Sequence, residues 1–176
     1  LKTTQINVRN DQGGKVKVVK SNVSLPKPII IDESKMNLQA IDSDNLQVFN
    51  PTIDAIDFWE SIEGMRVQVG NVKSVSPQEH GDLITVLENA PTNSLHGGVL
   101  FEEGNQNPNR IQFRLEPNGA ARNFEVATGD KFTGPIVGVV GYSYQNFKIY
   151  VSLNEMQASH TKGTASPEKT TIVKAE

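Results

Sequence analysis

Seven aromatic and basic residues are the part of this 176-residue sequence best suited to bind a ligand. The set is Arg66, Arg110, Arg114, Tyr142, Tyr144, Phe147 and Lys148. Aromatic rings stack on nucleic-acid bases while Arg and Lys contact phosphates, which is how small β-barrels hold single strands. The competing interpretation is that the rings pack in a core or a hairpin and the arginines pair with glutamates, since aromatic residues are common in strands. The set is therefore a candidate nucleic-acid-binding site, and the alternative is that these residues only stabilise the fold.

Catalytic motifs are absent from the sequence. It contains no cysteine, no Gly-x-Ser-x-Gly motif, no P-loop and no dinucleotide-binding glycine pattern. The three histidines, His80, His96 and His160, lie far apart and lack the spacing of metal ligands. We therefore predict that this chain is not itself an enzyme and has no catalytic residue, no metal ligand and no cofactor.

Acidic residues form four close pairs along the chain. They are Asp42/Asp44, Asp54/Asp57, Glu60/Glu63 and Glu102/Glu103. The first and last pairs could offer loop oxygens to Ca²⁺, but neither has the spacing of an EF-hand loop. We interpret all four as solvated surface or as partners of a helix dipole.

The overall charge is mildly acidic, with a net charge of -3 and a pI of about 5.7. Domains that mainly grip nucleic-acid phosphates usually have a basic face or a high pI, so a broad basic surface is not expected here, although a local basic groove is compatible with this charge. The sequence has no apolar run approaching the roughly 18 residues that span a bilayer, which predicts no membrane insertion. Because the chain begins with Leu1, we expect it to be a piece of a longer protein.

The stretch 50–69 is the segment around which we expect the rest of the chain to be organised, and it predicts a helix followed directly by a strand. Pro51 and Thr52 suit a helix start, with Asp54 and Asp57 near the positive end of its dipole. Gly64 suits a C-terminal cap in the left-handed conformation. Residues 65–69 then alternate strictly between apolar and polar, which is typical of a half-buried strand. The only tryptophan, in the predicted helix, is interpreted as core.

Strand patterns separated by turns dominate the remaining chain. We predict strands over residues 82–88, 99–101 and 111–115, and a long β-rich tract over 132–153 with a hairpin turn at 144–147. We predict that residues 1–25 form an extended or hairpin segment. Residues 154–176 have the composition of a linker. The pattern predicts an all-β domain, a sandwich or small barrel, with one short helix packed against it.

Several stretches resemble one protein family, in the same order. Residues 49–67, FNPTIDAIDFWESIEGMRV, resemble the FDP…DGIDFYESLEGMLV stretch of large extracellular bacterial nucleases with an endonuclease/exonuclease/phosphatase-type catalytic domain. Residues 96–99, 107–111 and 129–149 are also similar, the last including GYSYQNFK. The sequence departs from the pattern at Ala55, Trp59, Asn109 and Gln145, where Gly, Tyr, an acidic residue and Gly are usual. Gln145 leaves the type of the hairpin turn open.

The resemblance implies an accessory OB-like Greek-key domain over residues 26–153, which precedes the catalytic domain in that family. No stretch here matches the strand that opens the catalytic domain, so no catalytic residue is carried over. It also implies an extracellular or cell-surface bacterial location, with single-stranded or duplex nucleic acid and the parent's own catalytic domain as partners. A divalent metal, Mg²⁺ or Ca²⁺, is expected only in that catalytic domain.

The sequence is compatible with three functions. The first is a module that binds nucleic acid or positions it for a secreted nuclease. The second is a structural spacer or protein-interaction domain with no nucleic-acid binding, which the acidic charge favours. The third is an autonomous hydrolase that uses carboxylates, and no motif supports it.

Overall fold

The computed structural model describes residues 14–166, whose strands and helices are all short. The strands are β1 (Ile29–Ile31), β2 (Arg66–Val69), β3 (Val72–Ser74), β4 (Asp82–Leu87), β5 (Ile111–Glu116), β6 (Lys131–Phe132), β7 (Ile136–Ser143), β8 (Asn146–Ser152) and β9 (His160–Thr161). The helices are α1 (Ala55–Ser61), α2 (Asn118–Ala121) and α3 (Leu153–Ser159). The predicted all-β character is confirmed.

All nine strands join one mixed sheet in the order β1-β2-β7-β8-β5-β4-β3-β6-β9. The pairs β1–β2 and β5–β8 are parallel, and the others are antiparallel. Only Gly70 and Asn71 separate β2 from β3, a reach of about 10 Å. In a flat sheet the five strand-to-strand steps between β2 and β3 would span about 24 Å. The sheet therefore curls until β2 and β3 meet at this break.

The inside of the curled sheet is the hydrophobic core. Val67 and Val69 of β2 are fully buried while Arg66 and Gln68 are half-buried, which confirms the predicted alternation over residues 66–69, whereas Met65 is exposed. Ile111, Phe113 and Leu115 of β5 are likewise fully buried, as predicted. Burial of each such side chain contributes about 1.5–3 kcal/mol to the free energy of folding. Most of the buried apolar residues lie in strands, so the alternating strand pattern accounts for most of the core.

Helix α1 is shorter than predicted, because it begins at Ala55 and not at Pro51. The preceding Asp54 has extended backbone and makes no side-chain cap. Instead, the N–H groups of Ala55 and Ile56 donate to backbone carbonyls of residues 40 and 41, which satisfies donors that a helix start leaves without partners. Gly64 has a φ of +76°, which confirms its predicted left-handed conformation.

Asp54 and Asp57 lie at the N-terminal end of α1, as predicted for partners of the helix dipole, but both are buried and neither is solvated surface. Asp54 Oδ2 accepts a hydrogen bond from Ser43 Oγ at 3.0 Å, and Asp57 Oδ2 accepts from the Asn50 backbone N–H at 2.6 Å. Asp54 Oδ1 has no hydrogen-bond partner among the described residues. These carboxylates tie the loop before α1 to the helix, a tertiary role that sequence spacing does not reveal.

Two predicted segments differ from the structure. Residues 154–161, expected to belong to a linker, form α3 and β9, and α3 buries Leu153 and Met156. The predicted strand at 99–101 does not form, and Phe101 is exposed, because this segment lies in a long loop with no neighbouring strand. The predicted N-terminal hairpin falls partly on residues 1–13, outside the described range, and residues 14–25 contain no strand.

The last described strand is held by the buried carboxylate of Asp130. Its oxygens accept hydrogen bonds from the N–H groups of Gly163 at 2.7 Å and Ala127 at 3.0 Å, and contact His160 Nε2 at 2.7 Å. Burial raises the pKa of Asp130, but these three interactions together outweigh it, so the pKa lies below its ordinary value.

This depressed pKa gives a pH-dependent stability prediction. The ionised Asp130 contributes stability above the unfolded-state pKa of about 3.9, and the contribution is lost as pH falls through the lower folded-state pKa. Asp130→Asn should therefore be less stable than the wild type at pH 7, and the gap should close as pH falls below about 4. Urea unfolding at pH 7, 5, 4 and 3 measures this gap, with the exposed Glu125→Gln as the control. A gap that stays constant down to pH 3 contradicts the assignment.

Candidate functional site

A groove of about 510 Å³ lies between α1 and the β7–β8 hairpin, and we call it the aromatic groove. Its lining residues are Ile41, Leu46, Ala55, Ile56, Trp59, Pro108, Arg110, Tyr142, Gln145, Asn146 and Phe147. It brings together three residues of the predicted binding set, namely Arg110, Tyr142 and Phe147. The volume suits a small planar ligand, because ligand pockets commonly occupy about 300–1,000 Å³.

The aromatic wall is built by strand pairing. In the β7–β8 ladder, Tyr142 lies directly opposite Phe147, and their ring centroids are 4.9 Å apart with an interplanar angle of 54°. Trp59 of α1 lines the same groove while keeping only 7% of its surface exposed. Two strands and a helix therefore present three rings to one groove, which suits stacking on a flat ligand.

Among the described residues that line the aromatic groove, Arg110 alone is charged. It lies directly before β5 and is half-buried, and burial lowers the pKa of its guanidinium. Among the described residues the guanidinium has no ion pair and no hydrogen bond. Buried charges in proteins are normally paired, because removing a charge from water is costly. A half-buried cation beside aromatic rings is therefore positioned to receive an anionic group from outside the chain.

The walls of the aromatic groove have unusual backbone geometry. Seven described non-glycine residues have a positive φ, and five of them lie in three turns at this groove. The five are Asn45, Leu46, Asn107, Tyr144 and Gln145, with Asn107 next to the lining residue Pro108. Left-handed backbone costs an L-residue about 1–2 kcal/mol, and such outliers cluster at functional sites. Two of the five are Asn, which adopts this conformation readily, so the costly positions are Leu46, Tyr144 and Gln145.

Arg114 and Lys148, two other members of the predicted set, share one carboxylate on the outer face of the sheet. Lys148 Nζ lies 2.7 Å from Asp82 Oδ2, and Arg114 Nη1 lies 2.9 Å from Asp82 Oδ1. Burial lowers the pKa of Arg114, but the hydrogen bond and charge of Asp82 outweigh it and raise that pKa. Lys148 is 2% exposed, so its ammonium group is a fixed part of the sheet.

Tyr144 and Arg66 lie outside the aromatic groove. Tyr144 is 85% exposed at the tip of the β7–β8 hairpin, and Lys148 Nζ is 5.4 Å from its ring centroid. Arg66 of β2 donates from Nη1 to the Pro26 carbonyl at 3.0 Å. The predicted set is therefore divided into the groove residues, the Asp82 network with Tyr144, and Arg66 alone.

A second groove, of about 640 Å³, lies on the side of the sheet that contains Arg66, and we call it the apolar groove. It is lined by Leu25, Pro26, Lys27, Ile29, Gly64, Met65, Arg66, Val137, Gly138 and Val139. Leu25 is 72% exposed, and Met65 and Val139 are also exposed. Arg66 thus belongs to a surface chemically unlike the aromatic groove.

A family model described as "Domain of unknown function (DUF8508)" matches residues 18–161, most of the chain. The chain belongs to this family. No curated protein and no solved structure matches it. The family domain contains all nine strands and ends with β9, so α3 and β9 belong to the domain and not to a region beyond it.

Several residues that line the aromatic groove of this DUF8508 domain were not predicted from the sequence. Ile41, Leu46 and Pro108 come from loops that approach the hairpin only in the folded chain. One local signal was available, because Asp42 and Asp44 precede the left-handed residues and their carboxylates accept the backbone N–H groups of residues 44, 46, 47 and 48. Such Asx turns predict the conformation of a loop, but they do not indicate what the loop binds.

Within residues 14–166, no group of three or more His, Asp or Glu side chains is arranged to hold a metal ion. The carboxylates of Asp42 and Asp44 are directed to backbone N–H groups, and Glu102 Oε1 accepts from Asn93 Nδ2 at 3.1 Å. In the same range, no helix has the length and apolar character needed to cross a bilayer.

Proposed function

We propose that this domain is a non-catalytic module that binds single-stranded nucleic acid in the aromatic groove. The observation that carries the proposal is Arg110, a half-buried cation with no anionic partner among residues 14–166, placed among Trp59, Tyr142 and Phe147. A base stacked on these rings would bring its phosphate toward the guanidinium, which combines the two interactions that single-strand-binding proteins use.

We also propose that the curled sheet is an OB-like Greek-key barrel. If β2 and β3 count as one strand bent at Gly70, then β4, β5, β7 and β8 complete a five-stranded set. The pairings follow the order first-second-third-fifth-fourth-first, with the third and fifth strands parallel. The β7–β8 turn then takes the place of the loop between the fourth and fifth strands, a loop that contributes to oligonucleotide binding in OB-folds.

The resemblance of residues 49–67 and 129–149 to extracellular bacterial nucleases supports a wider proposal. In it, the domain is secreted as part of a larger enzyme and positions nucleic acid for a separate catalytic domain. The Mg²⁺ or Ca²⁺ needed for phosphodiester hydrolysis would belong to that catalytic domain. The net charge of -3 favours the spacer alternative, so the nucleic-acid proposal depends on a local contact at Arg110 and not on a broad basic surface.

Arg110→Gln is expected to weaken binding of a labelled ten-nucleotide deoxythymidine strand by about 10- to 100-fold, because a hydrogen bond to a charged group is typically worth about 1.5–3 kcal/mol. Fluorescence anisotropy at low salt measures the loss. Trp59, the only tryptophan, gives an independent signal, because a base stacked in the groove should quench its emission.

Arg122→Gln is the matched control, because it removes the same charge from an exposed position in a different pocket. It should leave affinity nearly unchanged. Equal losses in the two variants would indicate only diffuse attraction to positive charge. No binding by the wild type at ~100 μM, the weak end of ordinary non-specific affinity, would reject the nucleic-acid proposal.

The apolar groove supports a second candidate, a protein-interaction module without nucleic-acid binding. Its exposed residues Leu25, Met65 and Val139 form an apolar surface beside the edge strand β1. Exposed apolar patches of this kind commonly mark contacts with other proteins or domains. The titration separates the two candidates, because this one predicts no tryptophan quenching at any oligonucleotide concentration.

A further inference from the structure

The tip of the β7–β8 hairpin has residues that its backbone does not favour. Ser143 pairs with Asn146, so Tyr144 and Gln145 alone form the turn, with φ of 48° and 62°. Two-residue turns with positive φ at both positions strongly prefer Asn-Gly, because most side chains are strained there. The presence of a tyrosine and a glutamine at these strained positions indicates that their side chains serve a purpose other than stabilising the turn.

The turn presents the Tyr144 ring to solvent, with 85% of the residue exposed. One side of the ring lies near Lys148 Nζ, 5.4 Å from the centroid, within the range of a cation–π contact. Lys148 is itself held by Asp82 at 2.7 Å. The ring therefore has a fixed cation behind it and an exposed surface in front.

Tyr144 is adjacent to the aromatic groove along the chain. The next two residues, Gln145 and Asn146, line the groove, as does Tyr142 on the other side of the turn. By contrast Phe101, 78% exposed, lies in the loop before β5 and lines none of the grooves described above. Of these two exposed rings, only Tyr144 belongs to a turn whose neighbouring residues line the groove, and its ring lies over Lys148 at the tip of the hairpin.

We propose that Tyr144 is a second stacking site, which binds the base next to the one held in the aromatic groove. The ligand class is then a flexible single strand of at least two nucleotides, and neither a free nucleotide nor a rigid duplex, whose bases remain stacked on each other. This inference rests on the proposed function, because it needs a base in the aromatic groove to define the neighbouring position.

The test compares thymidine monophosphate with the 5′-phosphorylated thymidine dinucleotide, using quenching of Trp59 emission in the full chain. The wild type should bind the dinucleotide about 5- to 150-fold more tightly, the range for one stacked base. Tyr144→Asn should abolish this gain and keep the affinity for the mononucleotide. Asparagine suits the turn, so a loss of fold cannot explain the result. Tyr144→Phe should keep the gain, and Phe101→Ala is the matched control for loss of an exposed ring.

The outcomes distinguish this inference from the proposed function. If Tyr144→Asn keeps the full gain while Arg110→Gln weakens both ligands, the second site is rejected and the groove remains. If neither ligand quenches Trp59 and Arg110→Gln changes nothing, both proposals are rejected. Equal affinity of the wild type for the two ligands also overturns the second site.

Discussion

Replacement of Asp82 by alanine is expected to lower the free energy of unfolding by about 3–5 kcal/mol, because it leaves a buried charge without its partner. Lys148 Nζ is 2.7 Å from Asp82 Oδ2, and Lys148 is 2% exposed. Arg114, 2.9 Å from the other oxygen, would also lose its short contact. The remaining acid near Arg114 is Glu116 at 3.7 Å, and it does not replace the Lys148 contact.

Urea unfolding at pH 7, followed by circular dichroism, measures the effect. Glu116→Ala is the matched control, since it removes a more exposed carboxylate from the same arginine and should cost about 0–1 kcal/mol. The double variant Asp82→Leu/Lys148→Met should recover much of the loss, because an apolar pair in place of a buried ion pair is often neutral or stabilising. A loss below 1 kcal/mol for Asp82→Ala would mean that Lys148 readily reaches solvent.

This network also weakens the ability of Arg114 and Lys148, on the outer face of the sheet, to bind the phosphates of a nucleic acid. Asp82 lies within 2.9 Å of both Arg114 and Lys148, so much of their charge is compensated inside the protein. Phosphate binding there would compete with an existing ion pair. Arg110 has no such competitor among the described residues, and it therefore carries the electrostatic part of the proposed binding.

The sequence predicts those parts of the fold that depend on local periodicity. Val67, Val69 and the apolar residues of β5 alternate with polar neighbours, so their strands and buried faces were predictable. The hairpin turn at Tyr144 and Gln145 was also predicted, although two residues that disfavour positive φ gave no indication of its type. Helix α3 was missed because its residues looked like a polar linker, and its two buried side chains are explained only by packing on the sheet.

The candidate site was predictable only in part, and the reason is distance along the chain. Tyr142 and Phe147 are close in sequence and belong to one hairpin, so their meeting follows from the turn. Arg110 joins them because β5 pairs in parallel with β8, which no local pattern specifies. Leu46 depends on an even more distant loop. The sequence alone can therefore identify candidate binding side chains, but it does not show which strands pair. It cannot predict that Arg114 is paired with Asp82 while Arg110 has no anionic partner among the described residues.

Trp59→Ala is the second substitution with a large expected effect, a loss of about 3–5 kcal/mol in the free energy of unfolding. Trp59 is 7% exposed, and its ring packs edge-on against Phe58 with centroids 5.1 Å apart. Its removal would leave a cavity between α1 and the sheet, which a seven-residue helix held mainly by tertiary contacts cannot readily close.

Thermal unfolding followed by circular dichroism measures this loss, and Trp59→Phe is the conservative control because it keeps an aromatic ring in the same site. That control should cost less than the alanine substitution and should retain oligonucleotide binding measured by anisotropy. The alanine variant should lose affinity as well as stability, because Trp59 lines the aromatic groove and also anchors the helix beside it. If Trp59→Ala barely changes the unfolding temperature, α1 is not packed on the sheet. The aromatic groove would then lack its helical wall, and the proposal that depends on that wall would fail with it.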